Sequence, residues 1–294
     1  MSTLDEAVAY GQGIERPFRC HVHEDSNASA SVNVVKGVWF CHSCHASGTV
    51  DGKTTPKVSD LQSMLEPDES CRVYPDAYLE LFEEPVYWRT RFTNWVCHAM
   101  GLGQDPFTSD ATFPVHTPGG LLAGVGRRHL TEDKHSRYLY PKRWSASMTL
   151  FGTGGRYPAL PVLVLVEGAA DATACWEVGA PGLAVYGSGV HLPQRDLLVR
   201  YNPKLILAGF DMDAAGERAT TSAFKTLGRI APIVRVQWPA KDPGECKPAQ
   251  RVAALITAVG RSGYGGNVIK AWQRNIDDMK SSYESFVEEQ YGRK

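Results

Sequence analysis

Apolar runs of strand length alternate with helical patterns between residues 159 and 239. The strand-like runs are "PVLVLVEG", "GLAVYGSG", "KLILAGFD" and "PIVRVQWP". Between them stand stretches with helical spacing, notably "AADATACWEVG", which Gly179 closes, and "DAAGERATTSAFKTLG". Because strands that alternate with helices form parallel sheets, this part of the chain predicts an α/β domain.

The pattern changes on both sides of that region. Residues 1–55 are rich in Cys and His, residues 56–73 are polar with prolines and predict a linker, and residues 74–158 mix Trp, Arg and Gly. After the parallel-sheet domain at 159–250, the tail at 251–294 spaces its apolar residues at helical intervals. We therefore expect an α/β chain (α+β overall), with a small β domain ahead of the parallel sheet.

Composition limits the possible classes of protein. The chain has 294 residues, 43% hydrophobic and 21% charged, which suits one or two globular domains. Its net charge of −1 means that a nucleic-acid partner needs a local basic patch. No apolar run is long enough for a membrane span, and the N-terminus lacks an export signal. We expect a cytoplasmic protein with reduced cysteines.

Two metal-type knuckles occur in "CHVHEDSNASASVNVVKGVWFCHSC". Cys20 and His23 form one pair, and Cys41 and Cys44 form the other. The stretch between them predicts a β-hairpin with its turn at Lys36–Gly37. A hairpin with a ligand pair before and after it gathers four ligands, which predicts a structural, tetrahedral Zn²⁺ site.

The identity of the histidine ligand is open, because three further histidines lie nearby: His21, His42 and His45. The alternative to a zinc site is a set of free buried cysteines and surface histidines. The other cysteines stand alone and are read as ordinary core or surface thiols, namely Cys71, Cys97, Cys175 and Cys246.

Acidic residues follow the ends of the apolar strands. Glu167 ends "LVLVEG", Asp211 ends "LILAGFD" with Asp213 two residues later, and Asp242 follows another strand end. Sites in parallel sheets form outside the carboxyl ends of the strands, and an extended chain points Asp211 and Asp213 to one side. Carboxylates gathered there need a cation such as Mg²⁺ or Mn²⁺, which predicts a metal-assisted phosphoryl-transfer site.

The alternative interpretation makes these acids helix caps beside the helix dipole. It is strongest for Asp213, which directly precedes the helical pattern "AAGERA". It is weaker for the Glu-Gly and Asp-x-Asp motifs taken together, since each stands at the end of an apolar strand.

These motifs resemble a known family. "VEGAADA" followed by "GFDMDAAGERA" is similar to the Toprim fold, and "CHVH…FCHSCHASGTV" resembles the zinc-binding domain of DnaG-like bacterial primases and their phage relatives. "WRTRFTNWVCHAMGLGQD", "ATFPVHTPGGLLAGVGRRHL", "SRYLYPKRW…TLFG" and "KDPGE" are similar to primase segments in the same order. The resemblance covers about residues 15–250 and implies a primase, a DNA-directed RNA polymerase of DNA replication. The compact layout and the Trp-rich middle region suggest a phage-encoded one.

The resemblance also implies roles for the acids. Glu167 would be a metal-linked carboxylate or the base near the primer 3′-hydroxyl, and Asp211 and Asp213 would hold Mg²⁺ and the nucleotide triphosphate. Asp242 would complete the site. One departure concerns the second late acid of the family, because Gly244 stands at its position and Glu245 comes one residue late.

A basic stretch with interleaved aromatics lies between two glycine-rich turns. Such a pattern suits single-stranded nucleic acid, although a solvated surface is the simpler alternative. By resemblance to primases, Arg127 and Arg128 would line a groove for template and nucleotide, and Arg89 and Arg91 would lie near that groove. The candidates for template and nucleotide binding are Arg127, Arg128, Arg137 and Lys142.

Other functions remain open. A zinc and Toprim protein of the recombination-mediator type would bind DNA without catalysis, and a Toprim nuclease would cut it with the same carboxylates. The chain has no P-loop motif, so a helicase partner would be a separate protein. The expected partners are single-stranded DNA and ribonucleoside triphosphates. The helical tail packs on its own core or docks the helicase.

Overall fold

The computed structural model describes residues 3–10, 15–24, 28–33, 38–44, 46–50, 72–130 and 138–291. The chain divides into two compact units, residues 1–64 and 65–294. The strands are β1 Glu15–Phe18, β2 Ala30–Asn33, β3 Val38–Cys41, β4 Ser47–Thr49, β5 Gly103–Gln104, β6 Ala111–His116, β7 Leu122–Arg128, β8 Tyr138–Leu139, β9 Val162–Val166, β10 Gly182–Ala184, β11 Leu205–Ala208 and β12 Ile233–Arg235. The α-helices are α1 Leu4–Tyr10, α2 Val86–Arg89, α3 Asn94–Ala99, α4 Ala169–Glu177, α5 Leu192–Arg200, α6 Ala214–Leu227, α7 Pro248–Ser262 and α8 Val268–Tyr291, with short 3₁₀ helices at Asp76–Leu81 and Ala146–Met148.

The first unit is a four-stranded antiparallel sheet in the order β1-β2-β3-β4. Alternate residues of its strands face inward, so Phe18, Val32 and Trp39 form a small core. The predicted hairpin is confirmed, because β2 pairs antiparallel with β3. Its predicted turn at residues 36–37 lies outside the described part of the chain.

The parallel sheet of the second unit has the strand order β10-β9-β11-β12. Strand β9 is apolar throughout because both of its faces are covered. Its even-numbered residues, such as Val164, pack into one core, while Leu163 and Leu165 pack into another. The predicted mixed α/β fold with a parallel four-stranded sheet is confirmed.

Helices cover the two faces of this sheet. Residues of α4, α7 and α8 belong to the core on the valine face, and residues of α5 and α6 belong to the core on the leucine face. The tail helix α8 packs on its own protein, where Trp272 is buried and the His98 ring lies 4.4 Å from the Phe286 ring. This is one of the two roles considered for the tail.

A second, antiparallel sheet has the order β5-β6-β7-β8. Phe113 of β6 is buried at its centre, and Gly126 of the paired strand β7 lies beneath that ring. A Cβ at position 126 would lie 2.4 Å from the Phe113 ring, so only glycine leaves room for it. A bridge between Phe151 and Ala184 connects the segment after this sheet to edge strand β10.

Within the described ranges, no helix combines the length and the apolar character needed to cross a membrane. The predicted linker at 56–73 lies outside the described residues up to position 71.

Candidate acidic site and zinc cluster

The four predicted zinc ligands come together in the first unit. Cys20 follows β1, Cys41 ends β3, and the ligand atoms of Cys20, His23, Cys41 and Cys44 all lie within 4.8 Å of one another. Backbone N–H groups of Val22 and Cys44 donate to the sulfurs of Cys20 and Cys41. Three thiols and one imidazole at this spacing are the donor set of a closed, tetrahedral Zn²⁺ site.

Electrostatics favour a thiolate in this cluster. Burial alone would raise the pKa of Cys41, but hydrogen bonds from the backbone of Cys44 and the Ser29 hydroxyl hold that pKa at about 6. Zinc binds the thiolate form, so a lowered pKa favours metal binding at neutral pH.

The structure also separates the nearby histidines. The His21 ring packs 4.7 Å from the Trp39 ring, and the His42 ring packs edge-on against Phe40 at 5.2 Å. His23 is the histidine that joins the three thiols. His45 lies outside the described residues.

The acidic residues gather at the carboxyl end of the parallel sheet. Strands β9 and β11 are direct neighbours, with Leu165 opposite Ala208, so the segments that follow them emerge side by side. Glu167 follows β9 and Asp211 follows β11. The Lys241 ammonium lies 3.6 Å from Asp211 Oδ2 and 3.9 Å from Asp213 Oδ2.

The prediction that Asp211 and Asp213 lie on an extended strand, and therefore point to one side, is wrong. Strand β11 ends at Ala208, so both aspartates lie beyond the pleated strand. Asp213 instead caps α6, and its Oδ1 accepts from the backbone N–H groups of Ala215 and Gly216. These bonds lower its pKa and leave Oδ2 turned toward Lys241. Asp213 therefore caps α6 and also belongs to the acidic cluster.

The pKa values of the clustered acids are raised. Burial, followed by the charge of Asp211, raises the pKa of Glu167 to about 7. Burial and the neighbouring Asp242 also raise the pKa of Asp211. Among the described residues, no group donates to the buried Oε1 of Glu167. Neighbouring carboxylates that repel one another, with one buried oxygen that no described group donates to, favour a bound cation.

Sequence reasoning missed Asp171, which belongs to this cluster. It stands in the first turn of α4, and its Oδ2 accepts from the backbone N–H of Gly168 at 3.3 Å. Burial, then Asp242 and Asp211, raise its pKa to about 7. The available signal was an acid four residues after Glu167, in the first turn of the helix that follows.

Arg91 reaches into the same cluster. A Cβ at position 244 would lie 2.9 Å from Arg91 Nη2, 3.1 Å from Asp242 Oδ1 and 3.2 Å from Asp171 Oδ1. Gly244, the departure from the primase pattern, therefore leaves space that the Arg91 guanidinium borders. Arg89 does not join it, because Arg89 pairs with Glu84.

The expectation that Arg127 and Arg128 line one groove is wrong. They are successive residues of β7, so their side chains project to opposite faces of the sheet. Arg128 is buried, donates to the Tyr138 hydroxyl at 2.6 Å, and lies over Tyr87. The Tyr87 hydroxyl accepts from Arg91 Nη1 at 3.2 Å. Arg128 therefore contacts Tyr87, which in turn contacts Arg91 beside the acidic cluster.

Arg127 lies on the other face of β7. Its Nη2 lies 2.9 Å from the buried Asp105 carboxylate, and it lines a cleft together with Lys142. Arg137, the remaining basic candidate, lies outside the described part of the chain.

Comparisons with known proteins agree with this geometry. Residues 164–246 match the Toprim-like family model. The DNA primase of Halalkalibacterium halodurans is 30% identical over 131 residues, and that of Aquifex aeolicus is 28% identical over 145 residues. The matches cover 41% and 46% of this chain but only 21% and 28% of the two relatives. This chain is similar to DNA primases.

A solved structure supports the same fold. The zinc-binding and RNA polymerase domains of the Aquifex aeolicus primase align with 94% of this chain and 86% of that one, with a TM-score of 0.53 and 18% identity. A likeness at that identity concerns the fold. The chemistry has to be argued from the residues of this chain.

Proposed function

We propose that this chain is a DNA primase, a template-directed RNA polymerase that makes short RNA primers on single-stranded DNA. The observation that carries the proposal is the carboxylate cluster of Glu167, Asp171, Asp211, Asp213 and Asp242 at the carboxyl end of the Toprim-like sheet. The similarity to curated DNA primases supports it, and the alternatives of a binding module and a nuclease become outcomes of its test.

The acids fit a divalent metal. Oxygen donors are the ligands that Mg²⁺ and Mn²⁺ prefer, and the donor-free Oε1 of Glu167 is available to one. Glu167, Asp211 and Asp213 would hold the ion, with Asp242 completing the site. When bound, the metal neutralises triphosphate charge and lowers the pKa of a coordinated hydroxyl.

The protein's own groups have separate tasks in this proposal. The primer 3′-oxygen attacks the α-phosphorus of the incoming ribonucleotide, the bond from that phosphorus to the bridging oxygen breaks, and pyrophosphate leaves. As the alternative to binding the ion, Glu167 would accept the 3′-hydroxyl proton, since burial and the neighbouring Asp211 raise its pKa to about 7 in the absence of metal. Arg91 borders the acids, so its guanidinium is placed to neutralise phosphate charge and position it.

The zinc cluster has a structural role in the proposal. Its four protein ligands leave no open coordination position, so the metal would hold the β1–β4 sheet together. By resemblance to primases, this unit would help to select the template site. The proposal includes a phage origin, a cytoplasmic location and a separate helicase as partner.

The test is primer synthesis by the purified protein. Single-stranded DNA of mixed sequence is incubated with four ribonucleotides, one labelled at the α-phosphate, and Mg²⁺ or Mn²⁺. We expect short labelled oligoribonucleotides that require template. Asp211→Asn and Glu167→Gln should each reduce synthesis by about 100-fold or more, because both remove a group that acts on the reacting atoms.

Asp196→Asn is the matched control, because Asp196 is a partly exposed acid that pairs with its neighbour Arg195 on α5. This variant should retain full synthesis. Cleavage of the template without added nucleotides would identify a nuclease instead. Strand binding without either reaction, under both metals, would favour a binding module and contradict the proposal.

A further inference from the structure

The antiparallel sheet carries a cleft on the face of β7 opposite to Arg128. Its volume is about 420 Å³, which lies within the usual range of ligand-binding clefts. The residues that matter for its chemistry are Arg72, Tyr74, Tyr78, Arg127, Leu139 and Lys142. None of the roles discussed above explains the two tyrosines or Arg72.

The two tyrosines form a stacked platform. Their ring centroids are 4.2 Å apart with an interplanar angle of 27°, and the Arg72 guanidinium lies over the Tyr74 ring at 5.5 Å. The Tyr74 N–H donates to the carbonyl of Leu122 at 2.9 Å, which holds this segment along β7. The platform is therefore fixed to the sheet by backbone bonding.

A glycine in β7 allows this close approach. Gly124 has φ +129°, a conformation that other residues rarely adopt, and a Cβ there would lie 3.1 Å from Pro141 Cγ and 3.8 Å from the Tyr74 ring. The register of β6 against β7 also shifts between Val115 and His116. The irregular strand makes the floor of the cleft.

The charge of the cleft is positive. Its described lining contains three cations and no acid, although the whole chain has a net charge of −1. Arg127 is paired with the buried Asp105. The side chains of Arg72 and Lys142 are exposed at the cleft and add positive charge to its surface. Stacked aromatic rings flanked by exposed cations are what single-stranded nucleic acids require, with bases on the rings and phosphates on the cations.

We propose that this cleft is a second binding site for single-stranded nucleic acid, on the face of the sheet turned away from Arg128. Tyr74 and Tyr78 stack a base, and Arg72 and Lys142 bind the flanking phosphates. This deepens the proposed function, because it rests on a single-stranded template and adds a surface that holds the strand outside the acidic site. Its test is a binding measurement, which requires no catalysis.

The measurement is the fluorescence anisotropy of a labelled oligothymidylate with the full chain, in the absence of ribonucleotides. Tyr74→Ala/Tyr78→Ala should weaken binding about tenfold, because the stacked base loses its platform. Tyr74→Phe/Tyr78→Phe retains both rings and should retain the affinity. The phenylalanine pair also separates loss of stacking from loss of folding.

The contribution of Arg72 and Lys142 can be measured through the salt dependence of binding. Arg72→Ser/Lys142→Ser should weaken binding, and it should also lower the slope of log affinity against log salt by about 1.4, since each single-strand phosphate contact contributes about 0.7. Arg200→Ser is the matched control, because Arg200 is exposed and lies 5.0 Å over the Tyr157 ring at another place on the surface. This control should change neither the affinity nor the slope.

Photocrosslinking locates the strand directly. An oligonucleotide that contains 5-iodouracil should crosslink to Tyr74 or Tyr78, and excess thymidine monophosphate should not displace it, since one nucleotide cannot span both cations. Displacement by the mononucleotide would identify a nucleotide site and overturn the proposal. Unchanged affinity in both the alanine pair and the cation pair would also overturn it.

The two proposals can fail separately. Asp211→Asn should bind the strand as the unaltered chain does, whether or not primers are made. If synthesis is absent while the cleft variants lose binding, the cleft stands and the primase proposal fails. If primers are made while the cleft variants bind the strand normally, the primase proposal stands and the cleft proposal fails.

Discussion

The two sheets of the second unit place their chemistry in different ways. In the parallel sheet, both faces of β9 and β11 are buried, and the polar residues stand where the strands end. In the antiparallel sheet, Arg127 and Arg128 are neighbours in sequence but serve different faces of β7. A site at a strand end depends only on which strands are neighbours. A site on a strand face depends on register, because a shift of one residue moves every side chain of the strand to the opposite face.

The two regions also differ in what stabilises them. Beside the acidic site, Arg251 of α7 and Glu177 of α4 form a buried ion pair of 2.6 Å, and Arg251 also donates to the carbonyl of Pro243, next to Asp242. The antiparallel sheet relies on aromatic packing around Phe113, whose ring lies near those of Tyr138, Tyr140, Phe151 and Tyr186. Substitutions on each side can test this difference.

The largest effect on stability is expected at the ion pair. Arg251→Met leaves the Glu177 carboxylate buried without its cation, which should lower the free energy of unfolding by about 3–5 kcal/mol. Urea denaturation measures this loss. Arg195→Ala removes a partner of the partly exposed Arg195–Asp196 pair and should cost at most about 1 kcal/mol. Equal losses in the two variants would mean that the buried pair does not stabilise the site.

A smaller effect is expected in the aromatic region. Gly126→Ala places a methyl group 2.4 Å from the Phe113 ring, so that ring must shift, at a cost of about 1–3 kcal/mol. Gly187→Ala is the control, because a Cβ there meets no described atom within 4 Å. Thermal unfolding of both variants checks the prediction, and an unchanged melting temperature for Gly126→Ala would show that the ring is loosely packed.

The remaining predictions concern pH, and the effect of pH on stability has opposite signs in the two regions. The folded protein raises the pKa of Glu167 from 4.5 to about 7, so it binds that proton more tightly than the unfolded chain does. Stability should therefore fall as pH rises from 4.5 to 7, and Glu167→Gln should remove that part of the fall. The measurement is the urea midpoint against pH without divalent metal.

Asp105 provides the contrast in the antiparallel sheet. Burial alone would raise its pKa, but backbone N–H groups of Thr108 and Phe107 and the Arg127 guanidinium hold that pKa below 3.8. Its contribution to stability is present above pH 3.8 and is lost as the pH falls further. Asp105→Asn should therefore be less stable than the unaltered chain at neutral pH, and the difference should narrow in acid. If Glu167 and Asp105 contributed pH dependences of stability with the same sign, the comparison would be contradicted.

Sequence reasoning reached the parallel sheet and its acids because both are local signals. The run "PVLVLVEG" contains the strand, its burial and Glu167 together. Asp171 was missed because a first-turn helix acid is common, and only the fold brings it beside Asp242. The Arg251–Glu177 pair joins residues that are 74 apart in sequence, which no local pattern records.

The basic region was predicted less well for a related reason. Its residues are close in sequence, but the face of β7 that each one occupies follows from pairing with β6 and β8. The irregularity between Val115 and His116 changes that register and leaves no clear mark in the sequence. Composition therefore identified the cations without assigning them to a face.

The alternation of side chains along β9 has a consequence for how the acidic site responds to partial unfolding. Because Val164 and Leu165 belong to different cores, this one strand is shared by the layers on both sides of the sheet. Loosening of either layer removes packing from the same backbone, so the two layers should melt together as one cooperative unit. The carboxylate of Glu167, which follows β9, then keeps its position until the whole domain unfolds, and the proposed primer synthesis should disappear at the same temperature as the fold.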